Sequence, residues 1–195
     1  MISPLILPLF SALVLPIGWL EYRLLQKTRK GILLGIFNSA VLYGPWIAAA
    51  LKSPYHLTDR VAAATGVVML IAGLIILIAA APLILRAPGQ MRSMPEALLT
   101  KGPYRWTRHP LYVGHVLLIS GAVLTFASLD LFLLTPILWV IAAIASRYEE
   151  STRLRHQFGQ EFCQYQAKTA FLLAFRGWIL WGIIYLAAMV QYIVV

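Results

Sequence analysis

The chain has 195 residues, of which 61% are hydrophobic and only 12% charged, and its formal net charge is +9. Ordinary soluble domains carry about 25% charged residues, so composition excludes a soluble globular enzyme, and apolar blocks of about 20 residues point to an integral membrane protein. The basic residues lie in loops between the blocks rather than in one stripe, which reads as topology signals and contacts with anionic membrane lipids, not as a nucleic-acid footprint.

The first apolar block covers residues 2–20, with no basic residue before it and Arg23, Lys27, Arg29 and Lys30 directly after it. A cleaved signal peptide has the reverse order, so the block reads as a retained span, N-terminus outside, kinked or shortened by Pro4, Pro8 and Pro16. Further blocks lie at 31–51, 61–85, 111–126, 129–146 and 171–195. The expected fold is therefore an all-α integral membrane protein of five to six transmembrane helices. Gly66 and Gly73 in the third block favour a close helix approach. Only residues 127–130 separate the fourth and fifth blocks, which predicts a tight antiparallel hairpin. Arg176 interrupts the last block, so that span is expected to begin near Gly177. The chain reads as one membrane domain over 1–195: N-terminal spans over 1–90, a core over 95–165 and a C-terminal span over 171–195.

Loop charges alternate. Residues 21–30, 86–110 and 147–176 carry +3, +4 and +2, whereas 52–60 and 127–130 carry +1 and −1. Basic loops stay in the cytoplasm, so the first, third and fifth loops are expected there.

Two polar islands stand against this apolar background. The first reads Gly-Pro-Tyr-Arg-Trp-Thr-Arg-His-Pro-Leu-Tyr from 102 to 112, followed by Gly114. The second holds Arg147, Glu149, Glu150, Arg153, Arg155, His156 and Phe158-Gly159. A charge at membrane depth costs about 2.5–3.5 kcal/mol even on lenient scales, so such clusters mark a site. Pro110 suits the first turn of a helix, which puts His109 at or just before the N-cap, where free N–H groups make a seat for a carboxylate. His109 and Tyr112 are three apart and can address one ligand. Gly102-Pro103 forms a turn that presents Tyr104. Arg105, Trp106 and Arg108 read as interfacial anchors. Arg147, Glu150 and Leu154 share a helical face, and Glu149 and Arg153 form an ordinary i, i+4 pair. Glu150 is left with no obvious partner except Arg147 or Arg153. The four histidines show no ligand-pair spacing, so no metal site is expected. The single Cys163 excludes an intramolecular disulfide and reads as a packing residue.

The order Leu99-Thr100-Lys101-Gly102-Pro103-Tyr104, Arg108-His109-Pro110-Leu111-Tyr112-Val113-Gly114, a hydrophobic stretch, then Arg147-Tyr148-Glu149-Glu150 and Phe158-Gly159 with Tyr165 resembles the isoprenylcysteine carboxyl methyltransferase family. Membrane phospholipid methyltransferases are more distant relatives. The resemblance covers residues 95–165 and implies an all-helical membrane enzyme that uses S-adenosyl-L-methionine. It implies a cofactor pocket from Glu96, Ala97, Leu98 and Leu99, with Tyr104, the run His109, Pro110, Leu111 and Tyr112, and Glu150. Arg147 takes the place of the family's substrate-contacting arginine and, with Glu150, is the expected catalytic pair. The chain departs from the family pattern at Ser146, four residues before Glu150, at Phe162, and at Lys168-Thr169-Ala170.

The chemistry so implied is direct in-line displacement, in which the protein aligns the reactants and excludes water. A lipophilic or lipidated acceptor, most like a prenylcysteine-type carboxylate, would enter sideways from the membrane. A carboxylate or thiolate acceptor needs no base; for an amine or neutral thiol, His109 and Glu150 are the candidates. Two other readings stand beside this one: a sterol-reductase-like enzyme using NADPH, and a non-catalytic small helical membrane protein.

Overall fold

A computed structural model describes residues 60–86, 97–126 and 129–194, with residues 7, 12–13, 16–17, 41–46 and 48–49 before them. Most of the first two expected spans, the turn at 127–128 and Glu96 lie outside these residues. Among the described residues the fold is helical, apart from one isolated parallel bridge between Thr107 and Ala170. The helices are α1 (Arg60–Arg86), α2 (Pro110–Phe126), α3 (Leu129–Leu133), α4 (Pro136–Glu149), α5 (Arg155–Lys168) and α6 (Phe175–Val194). A 3-10 turn at Gly102–Arg105 precedes α2, and a π-helical turn at Glu150–Leu154 joins α4 to α5.

Two helical stretches, Arg60–Ile84 and Leu131–Lys168, are long and apolar enough to cross a membrane, and Pro110–Thr125 and Phe175–Val190 are shorter apolar helices. Val68, Ile75 and Ile78 on α1 and Leu180, Ile183, Leu186 and Val190 on α6 are more than half exposed. Apolar faces of that kind need a non-aqueous neighbour, and with the apolar helices they describe a membrane protein.

The tightest packing joins α1 to α2. A Cβ added at Gly73 would lie 2.6 Å from the Leu118 nitrogen and 2.7 Å from the Gly114 oxygen; one at Gly66 would meet the Gly121 oxygen at 2.9 Å. Rising numbers on α1 meet falling numbers on α2, so the pair is antiparallel. Gly66 and Gly73 are seven apart, as are Gly114 and Gly121, and seven residues return to the same helical face. The close approach expected at Gly66 and Gly73 is therefore present, with two glycines of α2 as its other half.

Behind α2 lies the core. Val113, Val116, Ile119 and Val123 pack with Phe132, Leu138, Trp139, Leu172 and Trp181. Trp139 sits between Trp178 and Trp181, with ring centroids 5.1 and 5.5 Å away. The Tyr185 hydroxyl donates to the Leu133 carbonyl at 2.8 Å, closing α6 onto this layer.

The fifth apolar block is not one uninterrupted helix. Pro136 has no N–H to donate, and the chain breaks there into α3 and α4. Thr135 N donates to the Phe132 carbonyl at 2.9 Å and its hydroxyl to the same oxygen at 2.7 Å. The helix also runs on past Ser146, through the second polar island, to Lys168. In the last block, α6 starts at Phe175, and Arg176 sits exposed in its first turn instead of delaying it.

Candidate active site

Gly102 opens the first island with φ +59°, a backbone shape that suits glycine. It starts the 3-10 turn that buries Tyr104. The Tyr165 hydroxyl of α5 donates to the Tyr104 carbonyl at 2.6 Å and fastens this turn to the second island. Burial, reinforced by Glu149 and Tyr165 and opposed by Arg153, pushes the Tyr104 phenol above its usual range. Its hydroxyl therefore remains a hydrogen-bond donor.

Next comes the junction with α2. Arg108 N donates to the Ala170 carbonyl at 2.9 Å, beside the Thr107–Ala170 bridge. The Val113 N–H donates to the His109 carbonyl at 3.2 Å, so His109 is the N-cap and Pro110 the first helical residue, as the sequence suggested.

The Arg108 side chain is buried. Its Nε donates to Glu150 Oε1 at 2.8 Å, and Nη1 donates to the carbonyls of Gln166 at 3.0 Å and Thr169 at 3.1 Å. His109 Nε2 lies 2.9 Å from the same Glu150 oxygen, while Nδ1 is 3.8 Å from Glu149 Oε2. The Glu150 carboxylate lies beside this helix start, held by the side chains of Arg108 and His109. Glu149 in turn lies 3.6 Å from Arg153. The π-helical turn after Glu149 adds one residue per turn, a device frequent at functional sites. At Gly159, φ 47° and ψ −117° bend α5 just after Phe158.

These elements enclose a cavity of about 510 Å³, within the ~300–1,000 Å³ usual for small-molecule and cofactor sites. Its polar end gathers Arg108, His109, Glu149 and Arg153, with Tyr104, Tyr112 and Tyr165 around them. From there it runs between α2 and α4 to an apolar end at Ile119, Leu138 and Ile141. His109 and Ile119 are ten residues apart on α2, about 15 Å at the helical rise.

Of the expected cofactor residues, Ala97, Leu98, Leu99, Tyr104 and the run from His109 to Tyr112 line this cavity together. Glu150 does not line it; it is 5% exposed and lies behind His109 and Arg108. Arg147 does not line it either. Its side chain is 66% exposed, 3.8 Å from Glu150 Oε2, with the guanidinium 4.4 Å from the centre of the Phe171 ring. Sequence reasoning missed Arg108, Glu149 and Arg153 as members of the site. The available signal was Glu150, a carboxylate in an apolar chain with no obvious partner nearby except Arg147 or Arg153.

Arg105 and Trp106 are exposed and suit the anchoring role expected of them, but Arg108 is 8% exposed and is not an anchor. It faces inward, held by the Glu150 carboxylate of the other island and by the carbonyls of Gln166 and Thr169 near the end of α5.

No curated protein and no solved structure matches the chain. A family model does: the one described as phospholipid methyltransferase matches residues 60–161. The match starts at the first residue of α1 and ends within α5, so it contains most of the cavity walls and both polar islands. It covers more than half of the 195 residues. A chain with this cavity between apolar helices, matched over that length, belongs to the phospholipid methyltransferase family of membrane methyltransferases.

Proposed function

We propose that the protein uses S-adenosyl-L-methionine to methylate a lipophilic acceptor that enters the cavity from the membrane. The observation that carries this reading is the grading of the cavity, opposite charges at one end and an apolar channel at the other.

The donor set fits the cofactor. Its amino acid end offers an ammonium and a carboxylate, which Glu149 and Arg153 match in sign on one wall. Its adenine suits the apolar surface of Leu98, Leu99 and Leu154, and its sulfonium the aromatic faces of Tyr104, Tyr112 and Phe158. When bound, the cofactor supplies a methyl group already activated by a positive sulfur. Alignment and exclusion of water are left to the chain, and holding two reactants in attack geometry is worth several powers of ten in rate. His109 is fixed by Glu150 and presents its ring to the cavity beside Tyr112, with centroids 5.8 Å apart. Glu150 positions that ring and Arg108 from behind. Arg147 meets an acceptor's anionic group at the surface, beside Phe171, rather than inside the cavity.

Two acceptor classes suit the apolar channel: a prenylcysteine-type carboxylate, from the sequence resemblance, and a lipid amine, from the description of the family. The two polar islands are proposed to face the cytoplasm, on the strength of the loop charges.

Calorimetric titration of detergent-purified protein with S-adenosylhomocysteine tests the reading, with NADPH titrated alongside. The wild type should bind S-adenosylhomocysteine saturably and leave NADPH unbound. Arg153→Met and Glu149→Gln should each weaken binding about ten- to a hundred-fold, since a hydrogen bond to a charged group is worth ~1.5–3 kcal/mol. Folded protein that binds NADPH instead would move the reductase reading ahead; binding of neither would favour a non-catalytic role.

A further inference from the structure

The family match ends at residue 161, and the chain leaves the expected family pattern at Lys168-Thr169-Ala170. The segment that follows, up to α6, still lies against the site. Thr169 closes α5: its N–H donates to the Tyr165 carbonyl at 3.1 Å, and its backbone is extended, with φ −124° and ψ 134°. Ala170 pairs with Thr107, and Leu172 is buried in the core. The Thr107 hydroxyl joins the two segments, accepting from the His109 N–H and donating to the Phe171 carbonyl, each at 3.3 Å. The backbone thus holds Phe171 next to His109.

The Phe171 ring is held as well. The guanidinium carbon of Arg147 lies 4.4 Å from its centre and that of Arg108 5.3 Å, inside the ~6 Å over which a cation is drawn to an aromatic face. Both guanidiniums also approach the one Glu150 carboxylate, Arg108 at 2.8 Å and Arg147 at 3.8 Å. The His109 ring stands across Phe171 at 80°, with centroids 5.6 Å apart, the edge-to-face arrangement that aromatic pairs favour. His109 needs such a neighbour. The hydrogen bond between Nε2 and Glu150, 2.9 Å long, fixes one atom and leaves the plane of the ring to be set. Glu149, at 3.8 Å, is beyond hydrogen-bond reach. Among the described residues, Tyr112 and Phe171 are the aromatic rings beside it. Tyr112 lines the cavity, whereas Phe171 lies outside the lining.

We propose that Phe171 is a positioning residue of the site: its ring, clamped by Arg147 and Arg108, sets the plane in which the His109 imidazole faces the cavity. The inference rests on the methyltransferase reading above for what the cavity binds, but not for the placement of the ring. Arg147 then acts on a cavity it does not line, by steadying Phe171 from the surface. A ligand that packs on His109 in one orientation loses affinity in proportion to the time the imidazole spends in others. Leucine at 171 would fill much of the same space, but it has no aromatic face for the two guanidiniums and no ring to stand across His109. Tyrosine keeps both. Because Phe171 lies beyond the matched region, this support belongs to the part of the chain that follows the family's core.

The test compares Phe171→Leu, Phe171→Tyr and Arg147→Met with the wild type, each as the full chain in one detergent. Calorimetric titration with S-adenosylhomocysteine should show Phe171→Leu binding about two- to ten-fold more weakly, the equivalent of the ~0.5–1.5 kcal/mol usual for an aromatic pair. Phe171→Tyr should bind as the wild type does, and Arg147→Met should show a smaller loss in the same direction. In parallel, NMR of labelled imidazoles follows the His109 ring protons, assigned by their loss in His109→Gln. They should move in Phe171→Leu and Arg147→Met and stay near their wild-type positions in Phe171→Tyr. Should Phe171→Leu fail to fold, Arg147→Met and Phe171→Tyr still decide, because Arg147 is exposed and tyrosine keeps the ring. Unmoved His109 resonances, an unchanged affinity in Phe171→Leu, or equal losses in Phe171→Leu and Phe171→Tyr would overturn the proposal. A wild type that does not bind S-adenosylhomocysteine would instead sink the methyltransferase reading, and the His109 resonances would still decide the role of Phe171.

Discussion

One oxygen of Glu150 receives both Arg108 Nε and His109 Nε2, and all three side chains are almost fully buried. Removing one partner from such a cluster strands a charge away from water, which costs ~3–5 kcal/mol, whereas replacing both by apolar groups is often neutral. Glu150→Ala should therefore lower the thermal stability of the detergent-solubilised protein by about that amount. The double variant Arg108→Met with Glu150→Leu should recover most of the loss. It should still bind S-adenosylhomocysteine poorly, because His109 no longer has a carboxylate to orient its ring. If Glu150→Ala melts with the wild type, the cluster is not the structural tie between the islands. The roles follow from position: a group behind the wall acts through what it holds, and Glu149 and Arg153 on the wall are the ones a ligand meets. This division was only half legible in the sequence. The N-cap of His109 could be read because Pro110 fixes it locally. Glu150 was visible as a carboxylate in search of a partner, but Arg108 is 42 residues away, and nothing local tells a buried arginine from the exposed Arg105 three positions earlier.

At the scale of elements, the α1–α2 contact holds the wall that carries His109, Tyr112 and His115. A methyl group at Gly66, Gly73 or Gly121 would overlap main-chain atoms of the facing helix, and one at Gly114 would meet the Leu77 side chain. Backbone atoms cannot swing aside as a side-chain tip can. Gly73→Ala should thus force the helices apart and destabilise the protein by at least the ~1–3 kcal/mol typical of overpacking. Gly182→Ala on α6 is the control, because nothing lies within 4 Å of its added Cβ; there the gain in helix propensity, ~0.5–1 kcal/mol, should appear alone. Thermal unfolding of the two variants in one detergent decides the matter, and equal behaviour would refute the packing account. The seven-residue spacing of these glycines was plain in the sequence, and it worked because it repeats on both partners. The π-helical turn at Glu150–Leu154 left no comparable trace. Its residues have ordinary helical character, and the turn begins at Glu150, which meets Arg108 and His109 across the site.

Among the described residues most of the charged groups gather at one end of the helices. Arg108 of the first island donates to Glu150 and to carbonyls at the end of α5, so the loops before α2 and after α4 share one side of the protein. That much the alternation of loop charge implied. Which side of the membrane it faces is a separate matter, and the chain carries its own reporter. Cys163 is the single cysteine, free and exposed on α5, on the same segment as Phe158 and Tyr165 of the cavity wall. The loops of this end carry +4 and +2 against +1 and −1 for the alternate ones, and basic loops remain in the cytoplasm. A membrane-impermeant maleimide should therefore label Cys163 in inverted vesicles and leave it untouched in intact cells, with Cys163→Ser as the blank. Labelling from outside would place the charged end of the cavity away from the cytosol. The soluble cofactor would then have no route to Glu149 and Arg153, and a cytosolic methyl donor would be untenable for this site whatever its shape. Labelling from inside joins the two halves of the argument: the charged mouth opens to water where the donor is, and the apolar end opens among the helices where a lipid arrives.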